Sequence, residues 1–263
     1  DFIVFLDADT VVEPNWLHIL LNSYKKYGNG LYQGKLLKKS NHSIIESCGD
    51  MINIFGTGFA RGRGQKDNNQ FEKFQKISFP VGACTFSSTQ IFKEIGYVDE
   101  SGLFFLMSDD LDYGWRGWML GIPSYYEPRC IIYHLSSPIL QWSSKKFFFM
   151  ERNRWICLST LYSKKTLFKI LPFLILYDFG IFLFLSSKRM GFVKVKAFFS
   201  LLKMLPKIQK RRTMMQNKRK LKDHEIIQNF TNTVDIPTGL TSESSDLSSL
   251  IVQKLNRKAR GLI

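Results

Sequence analysis

The chain has 263 residues, 44% of them apolar, enough for one large domain with a substantial core. Its formal net charge is +15, but residues 1–150 carry 15 basic and 15 acidic side chains, 151–187 carry 5 and 2, 188–222 carry 13 and none, and 223–263 carry 4 and 5. The excess therefore sits in one late segment, and a folded part without net charge argues against a nucleic-acid grip across its face.

In chain order, Phe2-Ile3-Val4-Phe5-Leu6 reads as an apolar strand that ends on Asp7-Ala8-Asp9, with Thr10 leaving it. Two carboxylates at a strand's C-terminal end suit a divalent cation, and such a cation suits a diphosphate. The start is a strand pattern, not a basic stretch followed by an apolar one, so it is not a secretory leader. With no initiator methionine, this strand reads as the interior of a longer domain. Pro14 to Tyr27 is expected as a helix, because Trp16, Leu17, Leu20, Leu21 and Tyr24 recur at helical spacing before Gly28-Asn29-Gly30. Leu31 to Leu37 reads as a strand, and Gly56 to Gln70 as a polar, glycine-rich loop. Ser78 to Phe86 is a strand pattern, Thr89 to Ile95 a short helix closed by Gly96, and Asp109 to Leu120 a helix ended by Gly121. Ser124 to His134 is a further strand, and long helices follow from about Lys145. Strands alternating with helices predict an α/β domain on a mixed sheet, with ligands at the C-terminal ends of strands. Asp7, Asp9 and His134 all fall at such ends. Cys48, Cys84, Cys130 and Cys157 are far apart and form no C-x-x-C, which predicts reduced, structural thiols and fits a cytosolic compartment.

Three ligand-type segments recur in the first half: Asp7-Ala8-Asp9, Ser108-Asp109-Asp110-Leu111-Asp112 with Trp115-Arg116, and the strand that ends on Tyr133-His134. His134 is either a ligand or a satisfied strand-end histidine. The crowded aspartates at a helix start are either chemistry or N-terminal capping, since the helix dipole favours negative charge there. Arg116 is either a phosphate ligand or half of a structural ion pair.

The motifs, in order, resemble those of the inverting family 2 glycosyltransferases of the GT-A fold, especially the rhamnosyltransferase-like branch. Phe5-Leu6-Asp7-Ala8-Asp9-Thr10 is similar to that family's D-x-D strand, and Val81-Gly82-Ala83-Cys84 to its small-residue acceptor loop. Ile95-Gly96-Tyr97-Val98-Asp99-Glu100 is similar to its IGxfDE turn, and Ser108 to Arg116 to its EDxDlxwR helix start. Gly121 and His134 match its closing Gly and His. The resemblance covers about residues 1–165. It implies a Rossmann-like GT-A mixed sheet and transfer of a sugar from a nucleotide-diphosphate donor, with inversion, assisted by Mg²⁺ or Mn²⁺. Asp9, with Asp7 and His134, would hold the metal; Asp7, Asp9 and Arg116 would contact the donor. Asp110, with Asp109 close behind, would be the general base that takes the acceptor's proton. Gly82, Ala83 and Asp112 would face the acceptor. The chain departs from the pattern in having Asp109 where the family has Glu, and Ser87-Ser88-Thr89-Gln90 where it often has an Arg. The family's first βαβ units precede its D-x-D strand, so the resemblance also implies that this sequence lacks them and that the donor's base and ribose would be held poorly without them.

Leu167 to Leu185 is strongly apolar but is interrupted by Lys169, Pro172, Asp178 and Gly180. An interfacial or re-entrant helix is favoured over a span. The basic run that follows is interleaved with Phe198, Phe199, Leu201, Leu202, Met204 and Leu205, an amphipathic membrane-surface pattern; a solvated helical face and a nucleic-acid element are its alternatives. Residues 231–249 are rich in Ser and Thr and read as disordered. The expected organisation is a partial GT-A domain over 1–165, a membrane-associated helical appendage over 166–222 and a polar tail over 223–263. The expected activity is sugar transfer to a lipid-linked or polysaccharide acceptor of the cell envelope, at the cytoplasmic face of a membrane contacted through residues 167–222, in a peripheral or monotopic manner. A noncatalytic remnant or membrane-bound interaction module is the alternative, and nucleic acid is not expected as a partner.

Overall fold

The computed structural model describes residues 1–96, 102–135, 143–233 and 245–263. The first half is a mixed sheet built from β1 (Phe2–Leu6), β2 (Thr10–Val12), β3 (Leu31–Lys38), β4 (Asn41–Ser47), β7 (Gln75–Ile77), β8 (Cys84–Ser88) and β9 (Ser124–His134). Its main path runs β1-β8-β3-β9-β2, with β4 beside β3 and β7 beside β9. β3 and β9 are parallel, and the other pairings are antiparallel. β5 (Asp50–Ile52) and β6 (Gly58–Ala60) form a separate two-stranded ribbon. Side chains alternate along β3 as a strand requires. Tyr32 and Leu36 pack with Leu20 of α1 (Trp16–Tyr27), whereas Leu31 packs on the other face with Ile91, Phe92 and Ile95 of α2 (Thr89–Ile95).

α1, α2 and β9 lie where the sequence predicts them. The strand expected from Ser78 begins only at Cys84. Pro80 has no N–H for a ladder, and the residues before Cys84 form a turn against α3 (Asp109–Met119). Contact there is close: a Cβ on Gly114 would lie 2.2 Å from Phe79 Cβ, so only glycine lets the helix rest on this segment. The loop expected over Gly56 to Gln70 includes β6 and left-handed glycines at 56, 62 and 64.

The helical part consists of α4 (Ser144–Leu161), α5 (Lys164–Ser187), α6 (Phe192–Lys218), α7 (Asp223–Ile227) and α8 (Ser245–Arg260). It is not a detached appendage. The largest apolar cluster joins Leu111 and Trp115 of α3 to Ile156 and Leu158 of α4, Ile170 and Leu174 of α5, Ile208 of α6, Ile226 of α7 and Ala259 of α8. The C-terminal segment is hydrogen-bonded to Ile52 and Ile54. Thr231 N–H donates to Ile52 O at 2.8 Å, and Asn256 Oδ1 accepts from Ile54 N at 3.1 Å. Residues 234–244, within the stretch expected to be disordered, lie outside the described residues, as do Tyr97 to Glu100 of the IGxfDE-like turn. All four cysteines are free and buried.

Candidate active site

β2 begins at Thr10, directly opposite His134, and this register sets Asp9 beside the imidazole at the end of β9. Leu135 N–H donates to Asp9 O at 3.2 Å, and Thr10 closes the turn by donating its N–H and hydroxyl to Asp7 O at 3.1 and 2.6 Å. His134 Nε2 then lies 3.3 Å from Asp9 Oδ1 and 3.8 Å from Asp7 Oδ2. One ligand atom from each of the three falls within 4.8 Å of the others. Two carboxylates and one imidazole form a donor set that suits a divalent metal ion. The Asp7 side chain is 54% exposed and that of His134 15%, so the cluster is anchored on its inner side and open on its outer side.

The second cluster starts α3. Met107 and Ser108 both have left-handed backbone, at φ 67° and 64°, a conformation that costs an L-residue about 1–2 kcal/mol. Asp109 and Asp110 follow at once. Burial, then the neighbouring Asp109 and Asp50 carboxylates, push the Asp110 carboxyl up to about 8, against hydrogen bonds from the Leu111 and Gly82 amides. Burial also raises Asp109, with Asp112 and Asp7 adding repulsion. Asp50 itself is buried and pushed up to about 6, chiefly by burial, while the Ser47 hydroxyl holds it down. The sequence gives no sign of Asp50's part, because nothing in a three-residue strand marks it as lying near α3.

One loop ties the clusters together. The Gly82 amide acts on the Asp110 carboxyl and lowers it, and the next residue, Ala83, accepts the Asp7 N–H at 3.3 Å. Gly82 is exposed, and among the described residues a Cβ on it would meet nothing within 4 Å, an open side on which the resemblance places the acceptor. The Ala83 side chain does not face it: Ala83 is 2% exposed and packs in the core, leaving only its backbone at the site.

Asp112 and Arg116 do not join the site. The resemblance implies an acceptor role for Asp112 and a donor role for Arg116, but Asp112 is 0% exposed and Arg116 4%. Arg116 Nε donates to Asp112 at 2.9 Å, and its Nη1 to Ile95 O at 2.8 Å. Arg211 of α6 donates Nη2 to both Asp112 oxygens at 2.7 Å. Asp112 and Arg116 are thus a buried ion pair, for which the i,i+4 spacing is the sequence signal. Arg211, 99 residues further on, has no such signal.

No curated protein matches the chain. The solved structure titled "Crystal structure of GalNAc-T7 with UDP, GalNAc and Mn2+" is similar at 14% identity and a TM-score of 0.47, over 66% of this chain. The present chain spans about a third, 34%, of that structure's length. Residues 2–206 match glycosyl transferase family group 2, and the chain belongs to that family.

Proposed function

We propose that this chain carries the catalytic centre of a metal-assisted, inverting glycosyltransferase acting on a nucleotide-diphosphate sugar, as in the rhamnosyltransferase-like branch. The observation that carries this reading is the cluster of Asp7, Asp9 and His134, with one ligand atom from each within 4.8 Å of the others, beside the loop whose Ala83 O accepts Asp7 N–H. Asp7, Asp9 and His134 would hold the divalent ion. That ion would supply positive charge to a diphosphate leaving group. Asp110, half-buried beside the open Gly82 position, takes the acceptor hydroxyl's proton as its oxygen bonds to the anomeric carbon. The bond from that carbon to the diphosphate breaks, and its electron pair leaves on the phosphate oxygen. A carboxyl poised near neutrality suits this task, because it is deprotonated often enough to act and basic enough to accept.

The purified chain is expected to bind one Mn²⁺, followed by electron paramagnetic resonance. The full-length protein is expected to release nucleoside diphosphate from at least one of UDP-glucose, UDP-galactose, UDP-N-acetylglucosamine and dTDP-rhamnose. Asp9→Ala and His134→Ala should each weaken Mn²⁺ binding by about tenfold or more. Mn²⁺ affinity unchanged from the parent in both variants would remove the metal assignment.

The acceptor belongs to a lipid-linked or envelope-polysaccharide class in this reading, because the helical part carries a membrane-type surface. By length and composition α5 is apolar enough to cross a bilayer. Yet Thr166, Ile170, Leu174, Tyr177 and Leu185 form a single buried stripe, and mid-helix Asp178 pairs with Arg154 and Lys194. A helix committed to the protein along one face, and apolar on the other, fits an interfacial position better than a span. Phe168, Ile175, Phe179, Phe198, Phe199 and Leu205 are exposed on α5 and α6. Lys194, Arg211, Arg212, Arg219 and Lys220 of the basic run are engaged within the protein. Lys188, Arg189, Lys196, Lys203, Lys207, Lys210, Lys218 and Lys222 are exposed. They supply the charge that anionic headgroups attract, at the cytoplasmic face in a monotopic manner. The chain should co-sediment with phosphatidylcholine vesicles containing phosphatidylglycerol and leave them as salt rises. Phe198→Ser with Phe199→Ser should cut binding at least tenfold, since each buried Phe is worth about 1.5–3 kcal/mol. Unchanged sedimentation would remove the membrane reading.

A further inference from the structure

Asn153, on α4, is fully buried, and every polar atom of its side chain is engaged. Its Nδ2 donates to Leu106 O and to Met107 O, both at 2.7 Å. Its Oδ1 accepts from Arg152 Nε at 3.0 Å, and Arg152 Nη2 donates to Leu103 O at 3.1 Å. The two carbonyls bound by Asn153 precede and enter the left-handed pair Met107 and Ser108. Neither residue is glycine, so neither favours this backbone by itself. Ser108 makes no side-chain cap; its carbonyl accepts Asp112 N–H at 3.0 Å and so opens α3. The direction in which α3 leaves this turn sets where Asp109 and Asp110 point.

We propose that Asn153 is a positioning residue, whose amide holds the Met107–Ser108 turn left-handed and thereby aims the Asp109–Asp110 carboxylates at the acceptor. The inference rests on the reading of Asp110 as general base. Strain of this kind persists only where the surroundings over-determine it, and it clusters at functional sites. The amide is suited to the role because its two N–H groups reach two successive carbonyls, which an alcohol or an aliphatic side chain cannot do. α4 itself has other anchors: Glu151 and Arg154 pair with each other, Arg154 with Asp178 on α5 and Glu151 with Lys194 on α6. Removing the amide therefore leaves the helix in place and releases the turn.

The test compares the parent, Asn153→Ala, and Asn153→Ala combined with Met107→Gly and Ser108→Gly, because glycine adopts the left-handed turn without help. Hydrogen exchange across residues 103–112, followed by mass spectrometry, should speed up in Asn153→Ala and slow again when the glycines are added. With the nucleotide sugar that the parent turns over fastest, kcat for diphosphate release should fall about 100-fold in Asn153→Ala. KM and Mn²⁺ affinity should stay within about twofold, and the glycines should return about tenfold of the lost rate. If Asn153→Ala does not fold, Asn153→Ser with and without the glycines replaces it. Unchanged exchange and kcat in Asn153→Ala, or glycines that restore neither, overturn the positioning role. Failure of the base reading shows separately, as full turnover in Asp110→Asn.

Discussion

Replacing Asp112 with Ala is expected to destabilise the protein by about 3–5 kcal/mol, a large part of the roughly 5–15 kcal/mol that holds a domain folded. The carboxylate is 0% exposed and faces two guanidinium groups, Arg116 at 2.9 Å and Arg211 at 2.7 Å. Truncation leaves both charges buried against α3. Some of the loss comes from those uncompensated buried charges and not from the pair itself, because a desolvated ion pair gains little over an apolar replacement of similar shape. Arg211→Met should therefore also destabilise, while Asp112→Ala with Arg211→Met should lose much less than the two single changes together. Urea unfolding of the four proteins gives the coupling directly. Additive losses would show that α6 is held to α3 by its apolar contacts alone. The effect identifies Asp112 as a folding residue, in contrast to its neighbour two positions earlier.

Helix geometry explains why the sequence does not separate these neighbours. The text Asp109-Asp110-Leu111-Asp112 matches a motif, but successive helical residues turn by about 100°, so Asp110 and Asp112 point to nearly opposite sides. One carboxylate can face the cleft only if the other faces the core, and Arg116, four residues beyond Asp112, follows it inward. The same geometry divides the basic run. Charge is legible in sequence, but the inward stripe of α6, with Val193, Ala197, Ile208, Arg211 and Met215 buried, becomes visible only when α6 is laid on α4. Asp7, Asp9 and His134 were easier to read, because strand ends place their residues by topology and β2 leaves no slack between Thr10 and His134. β4 to β7 were not legible: three of these four strands have only three residues, too few to show alternation, and glycine turns separate them. Asn153 gives no signal of its own, since its role depends on carbonyls 46 and 47 residues away.

Asp110→Asn should abolish sugar transfer, by about 100- to 10,000-fold, while making the protein more stable at alkaline pH. Both effects come from one fact: burial and the Asp109 and Asp50 carboxylates raise the Asp110 carboxyl to about 8, whereas an unfolded chain titrates an aspartate near about 3.9. Between those values the native state holds a proton that the unfolded state has lost. Stability from this group is therefore present in full below about pH 4 and falls as pH rises, levelling off above about pH 8. Asn cannot ionise, so the variant lacks this slope, and its advantage over the parent should widen from acid toward pH 8 and then stay constant. Thermal midpoints of the two proteins across about pH 5 to pH 9 measure the difference. Turnover by the parent should move the opposite way, climbing through about pH 8 as the base loses its proton. Asp109→Asn should shift that rise to lower pH, because Asp109 is the nearest source of repulsion. A parent rate that is flat over this range, or an Asp110→Asn variant with ordinary turnover, would place the base elsewhere. A gain in stability bought by losing activity at one residue is what a strained, desolvated base predicts, and no purely structural carboxylate in this fold should show it.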